Sequence, residues 1–175
     1  NKQHHSVLQQ DILKEKFIAI YSFGKQFHAT GWKIGYMIAS LKITQALRKI
    51  HQFLAFSVNT PCQYAIAKFM ESYPNEDTCF MLENKRNYLL ELLKETPFQI
   101  LSPASGSYFQ IADYSNWRAV SDTEFAQWLT KEIGVATIPL SSFYKDATDH
   151  HLVRFCFAKK ESTLLAAIEK IKAGI

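Results

Sequence analysis

The run KFIAIYSF, residues 16–23, is continuous and rich in β-forming residues, with no polar alternation. Such a run predicts a strand buried on both faces, the habit of sheets covered by helices in α/β proteins. A second run, WKIGYMIAS (residues 32–40), predicts another strand. Three of the chain's six glycines, Gly24, Gly31 and Gly35, fall in and around the turn between them. Glycine in that density marks backbone that bends sharply or lets another group come close.

Downstream the pattern turns helical. In KITQALRKIHQFLAF the residues Ile43, Leu47, Ile50 and Leu54 fall on one helical face. After the loop SVNTP, Pro61 suits the first turn of a further helix, PCQYAIAKFMES. SYPNED breaks the chain, and a long amphipathic helix is predicted over residues 76–96, stopped by Pro97. The remainder alternates: strands FQILSP and YFQIADYS, helix DTEFAQWLTKEIG, strands VATIPLSSFY and HLVRFCFAK, and helix KESTLLAAIEKIKAG. Asp122 and Glu161 stand at helix starts, where the dipole favours a carboxylate, and Gly134 and Gly174 stand where helices end. A domain boundary is expected near residues 73–76, leaving an α+β domain of residues 75–175 whose first helix is the bridge.

Composition narrows the function classes. Hydrophobic residues are 47% and charged residues 21% of the 175, a globular balance that excludes wholesale disorder. The net charge of +4 arises from 20 basic and 16 acidic residues, and the basic ones are scattered. No block reaches the length of a nucleic-acid patch, and no apolar run approaches the ~18 residues of a membrane span, so neither partner is expected. The opening NKQHHSVLQQ reads as a cut within a longer protein. Cys62, Cys79 and Cys156, each among apolar neighbours, predict buried reduced thiols in a cytoplasmic protein, not a disulfide frame or zinc site. The doublets His4-His5 and His150-His151 lack the further ligands of a metal site and are expected at the surface.

Two places carry chemistry. A lysine at a strand end ordinarily snorkels into water. Lys25, however, has Ser22 three residues before it, Lys33 eight after it, and glycines between. A hydroxyl and an ammonium on flexible backbone can form a phosphate cradle, with backbone N–H groups as further donors. A lysine beside a bound phosphate cofactor, partly desolvated, can serve as a nucleophile. Arg154 sits between HLV and FCF, so apolar surroundings are expected, and a guanidinium in such a place needs an anionic partner. His28 and Phe109 read as either substrate-side or packing residues, and Tyr21, Trp32 and Tyr36 as core.

SFGKQFHATGWKIGY resembles the pyridoxal-phosphate lysine motif of class I/II aminotransferases, S-x-x-K-x-x-x-x-x-G-x-[RK]-x-G. It is most similar to the branch containing kynurenine, glutamine and methionine aminotransferases. GSYFQIADYS, GVATIPLSSFY and HLVRFCFAKKESTL are similar to three further motifs of that family, in the same order. The resemblance implies an α/β fold, the C-terminal part of a fold-type-I pyridoxal-phosphate-dependent transferase. Residues 1–74 would be the remainder of the large cofactor domain and residues 75–175 the small domain. It implies Lys25 as the Schiff-base lysine, Ser22 and Lys33 as holders of the cofactor phosphate, and Arg154 as the substrate-carboxylate residue. Lys33 departs from the family's commoner Arg, which forfeits a bidentate fork.

The implied reaction moves an amino group from a methionine-, glutamine- or aromatic-type amino acid to a 2-oxo acid. The loop FSVNTP resembles a segment that reaches the neighbouring subunit's site, which implies a homodimer. The family's Asp at the pyridine nitrogen, its Tyr and Asn at the ring oxygen, and its Gly-rich phosphate loop all lie upstream and have no counterpart here. The piece alone is therefore expected neither to transaminate nor to hold stoichiometric cofactor. Two other functions fit the same residues: a pyridoxal-phosphate-dependent carbon–sulfur β-lyase, and the non-catalytic aminotransferase-like effector domain of a transcription regulator.

Overall fold

Two apolar runs, joined by residues 23–34, pair as antiparallel strands. The computed structural model describes residues 4–73 and 75–175. The predicted break at SYPNED and the reading of the chain's start fall partly on residues 1–3 and 74, outside the described residues. The chain divides into two compact units, Asn1–Pro74 and Asn75–Ile175.

In the first unit, strand β1 (Ile18–Ser22) pairs with β2 (Gly35–Ala39), from Ile18 opposite Ala39 to Ser22 opposite Gly35. Between them lie the one-turn helix α1 (Phe23–Gln26) and a 3-10 turn, Thr30–Trp32. Two helices follow, α2 (Leu41–Leu54) and α3 (Thr60–Met70). Asn59 starts α3, its side-chain oxygen accepting from the Cys62 N–H at 3.1 Å, and Pro61 occupies the first turn, where its missing N–H costs nothing. Rings gather along the unit: Tyr21 stacks on Tyr36 at 4.9 Å, and Phe27 meets the edges of Phe69 and Tyr73 at 5.2 and 5.3 Å.

Burial in this unit departs from the sequence expectation. Among the described residues its buried apolar side chains are Ala19, Ile34 and Ile66. β1 is covered on one face only: Ala19 is buried and Tyr21 half-buried, whereas Ile18 and Ile20 are exposed. The reason is that a continuous apolar run states what a strand can bury, not whether a second layer is present to bury it. The predicted stripe of α2 behaves likewise, with Ile43 and Leu47 half-buried and Ile50 and Leu54 exposed. Trp32 and Tyr36, expected in the core, are exposed as well.

The second unit has a closed core. The long helix α4 (Asn75–Leu93) packs against α6 (Glu161–Ala173). A three-stranded antiparallel sheet has the order β3 (Phe109–Asp113), β5 (Leu152–Cys156), β4 (Ile138–Pro139), with β5 central. Helix α5 (Asp122–Trp128) continues through a π-helical turn, Leu129–Ile133, to Gly134, whose left-handed φ of 75° ends it. Leu93, Phe125, Leu129, Val153, Ile168 and Ile171 are fully or almost fully buried. Tyr114 stacks face to face on Phe125 at 3.8 Å, and its hydroxyl donates to the Val120 carbonyl at 3.0 Å. Burial, with the Asp149 and Asp122 carboxylates adding to it, pushes that phenol far above its ordinary range, so Tyr114 remains a neutral donor.

Two predicted strands shrink. Of FQILSP only Gln99 bridges to Asp113. VATIPLSSFY gives the two residues of β4 and then a 3-10 turn, Ser141–Phe143. The three cysteines are free, yet none is fully buried and Cys79 is exposed. His151 is not a plain surface residue: it adopts φ 56°, and its Nδ1 lies 3.5 Å from the Tyr114 hydroxyl.

Candidate functional site

The lysine-bearing turn is built by close backbone approach. Ser22 ends β1 and occupies the N-cap position of α1, but its side chain makes no capping bond. Lys25 lies one helical turn further, and Phe27 N–H closes that turn on the Phe23 carbonyl at 2.8 Å. Phe23 N–H donates to the Ile34 carbonyl at 3.2 Å, tying the start of α1 to the residue before β2. Lys33, next to Ile34, stands in the left-handed region with φ 55°, as does His28. Non-glycine residues held there carry roughly 1–3 kcal/mol of local strain and cluster at functional sites.

Two of the three glycines have a steric reason to be glycine. A Cβ on Gly35 would lie 2.3 Å from the Tyr21 carbonyl oxygen, and one on Gly24 would lie 3.0 Å from Thr30 Cα and 3.1 Å from the Ala29 carbonyl oxygen. At Gly31 an added Cβ meets nothing within 4 Å. The result is that Ser22, Lys25 and Lys33 are carried by one end of one hairpin, all three exposed. Among the described residues neither lysine forms an ion pair or hydrogen bond. A free hydroxyl and two uncompensated ammonium groups fit a phosphate-bearing group that also offers a carbonyl carbon to an amine. A separate cavity of about 470 Å³ lies between the hairpin and α2, lined by Ile20, Tyr36, Met37, Leu47, Arg48 and His51 among others, and none of the three predicted residues lines it.

Arg154 belongs to the second unit. It is the middle residue of the central strand β5, opposite Ile111 on one side and Ile138 on the other. Val153 and Phe155 point into the core, which puts Arg154 on the opposite face, half-buried. Its guanidinium carbon lies 3.8 Å from the centre of the Phe109 ring and 4.9 Å from that of Phe143. Its Nε is buried and has no hydrogen-bond partner among the described residues. The apolar surroundings expected from the sequence are present, and an acidic side chain at this guanidinium is not among the described residues. Phe109, ambiguous in sequence, is a wall of this arginine's place. Phe143 was not singled out from the sequence at all, because it reaches Arg154 only through the turn after β4.

The aminotransferase class I and II family matches residues 5–171. The chain belongs to this family. It is 48% identical to the methionine aminotransferase of Escherichia coli over 171 residues, which is 97% of this chain and 44% of that protein. It is 32% identical to human kynurenine–oxoglutarate transaminase 1, covering 97% of this chain and 46% of that one. Among solved structures it superposes on E. coli YbdL, reported to have a methionine aminotransferase function, with a TM-score of 0.92, 47% identity and 97% of this chain against 45% of that chain. For N-succinyldiaminopimelate aminotransferase of Mycobacterium tuberculosis the TM-score is 0.88 at 31% identity, with 98% and 45% covered. The chain thus spans less than half the length of these relatives. Its fold is that of the C-terminal part of a fold-type-I aminotransferase, a family that depends on pyridoxal phosphate.

The close approach at Gly35 gives a direct test. Gly35→Ala should cost roughly 1–3 kcal/mol, the usual penalty for overpacking, with faster amide exchange along Ile20–Tyr21, while Gly31→Ala exchanges like the parent. Equal exchange in the two variants would show that the hairpin does not depend on this contact.

Proposed function

We propose that the protein to which this chain belongs is a pyridoxal-phosphate-dependent aminotransferase that moves an amino group from an amino acid to a 2-oxo acid. The observation that carries the reading is the presence, in one family member, of an exposed lysine beside a free serine hydroxyl and a second lysine, together with an arginine walled by two rings whose buried Nε has no hydrogen-bond partner. Ser22 and Lys33 hold the phosphate, the first by its hydroxyl and the second as a point charge. Lys25 Nζ would be the cofactor's covalent anchor. Pyridoxal phosphate, when bound, supplies the carbonyl that accepts the amino group and the electron sink for the substrate Cα. The Lys25 amine would serve in turn as base and acid, moving a proton at the substrate Cα.

Arg154 receives the α-carboxylate, whose two oxygens match the guanidinium fork, under the rings of Phe109 and Phe143. A methionine, glutamine or aromatic amino acid is the proposed donor, supported by the methionine and kynurenine aminotransferases among the relatives. A homodimer is proposed on the loop FSVNTP, where Phe56 is 90% exposed and stands at φ 57°. A cytoplasmic setting is supported by three free cysteines. Ile20, Phe53 and Leu54, exposed in the first unit, are then covered by the rest of the enzyme or its partner subunit.

Borohydride reduction of the holoenzyme followed by peptide mapping tests the anchor. A phosphopyridoxyl label is expected on Lys25, and Lys25→Ala should lose turnover; a label on any other lysine removes the assignment. For Arg154, replacement by Lys keeps the charge and removes the fork. A charge-assisted pair is worth about 1.5–3 kcal/mol, so kcat/KM for amino acids should fall about ten- to a hundredfold with the cofactor absorbance unchanged. Full activity of Arg154→Lys would place the carboxylate elsewhere.

A further inference from the structure

Asp122 is 1% exposed, an unusual place for a carboxylate at a helix start. Ser121 already caps α5 through a reciprocal pair with Glu124, so the helix does not need Asp122 for that purpose. The Asp122 carboxylate instead accepts two bonds from one distant residue: Ser141 N–H at 2.7 Å on Oδ2 and Ser141 Oγ at 2.7 Å on Oδ1. Its own backbone N–H donates to Asp149 Oδ2 at 2.8 Å, while Asp149 Oδ1 accepts from His151 N–H at 2.7 Å. One buried residue therefore holds both ends of residues 141–149. That segment begins with the 3-10 turn carrying Phe143, the exposed ring that covers Arg154.

We propose that Asp122 is a positioning residue for the substrate-carboxylate site, acting through Ser141 and Phe143 to set the outer wall over Arg154. The inference rests on the reading of Arg154 as the carboxylate residue. The physical link is short. Phe143 is 60% exposed and has little packing of its own to hold it, so its place depends on the turn beneath it. The turn is fixed at Ser141, whose backbone N–H and hydroxyl both end on the same buried carboxylate. An asparagine at position 122 still accepts from the Ser141 N–H and donates to the Ser141 hydroxyl, whereas an alanine removes both acceptors and leaves the buried Ser141 N–H without its partner. With the turn loosened, the ring no longer shields the guanidinium from water, and the carboxylate is bound less tightly. The chemistry at Lys25 lies in the other unit and has no part in this chain of bonds.

The test compares Asp122→Ala, Phe143→Leu, the double variant and Arg154→Ala in the holoenzyme, by steady-state kinetics with methionine as donor and by cofactor absorbance. Asp122→Ala and Phe143→Leu should each raise KM about tenfold with kcat within about twofold and the absorbance unchanged. Because the two residues act in series, the double variant should be no worse than the more impaired single one. An unchanged KM in Asp122→Ala, a loss confined to kcat, or multiplied effects in the double variant would overturn the positioning role. Should Asp122→Ala not fold, Ser141→Ala, which deletes one of the two bonds, is read by the same criteria. Arg154→Ala separates the two ideas: raised KM there with an unaffected Asp122→Ala removes the positioning role alone. Unchanged KM in Arg154→Ala removes the carboxylate reading together with it.

Discussion

A guanidinium taken out of water keeps its charge, and the lost hydration must be compensated by something nearby. Arg154 lies against two phenyl rings, and its Nε is buried without a partner. Arg154 is half-buried, so part of its fork keeps its water, and cation–π attraction of about 0.5–2 kcal/mol offsets part of what the buried Nε loses. The arrangement is stable only because the surrounding unit is well packed, with β5 anchored through Val153 and Phe155 in the core. On the proposed reading, a carboxylate with two oxygens supplies the partner that the buried Nε lacks. Phe109 at the start of β3 and Phe143 in the turn after β4 are the two rings set against this cation.

The first unit is organised by a different constraint, backbone against backbone. Gly35 allows the Tyr21 carbonyl to come where any side chain would collide, and Gly24 allows the loop to fold over α1. Left-handed residues at His28 and Lys33 complete the turn. The local geometry is thus set by hydrogen bonds and sterics, not by a core. Ser22, Lys25 and Lys33 are thus carried on backbone fixed by these contacts, while neighbouring Ile18 and Ile20 stay exposed.

Much of this architecture was legible in the sequence where the signal is local. Pro61 opens its helix, Gly134 ends another in the left-handed region, and Asp122 and Glu161 stand in first turns, each for a reason contained within a few residues. Long-range causes were not legible. VATIPLSSFY has the composition of a strand, but Ser141 is held in a turn by a carboxylate 19 residues earlier, and bonding to β5 ends with the Leu140 N–H on the Leu152 carbonyl. FQILSP meets only Asp113, through one bridge at Gln99. Burial on both faces of β1 was read from its apolar run, yet covering a face requires a layer that local sequence does not encode. At the candidate site, the apolar flanks of Arg154 announced its surroundings, whereas Phe143 and the buried role of Asp122 depend on tertiary contact and left no local trace.

The most direct measurement is the behaviour of the Arg154 Nε–H itself. In holoenzyme carrying 15N-labelled arginine, the resonance is assigned by its disappearance in Arg154→Lys and then followed during titration with a short carboxylic acid lacking an amine. A saturable shift of that resonance, with slowed exchange with water and inhibition over the same concentration range, is the predicted result. Inhibition that saturates while the Arg154 resonance stays unmoved would contradict the account.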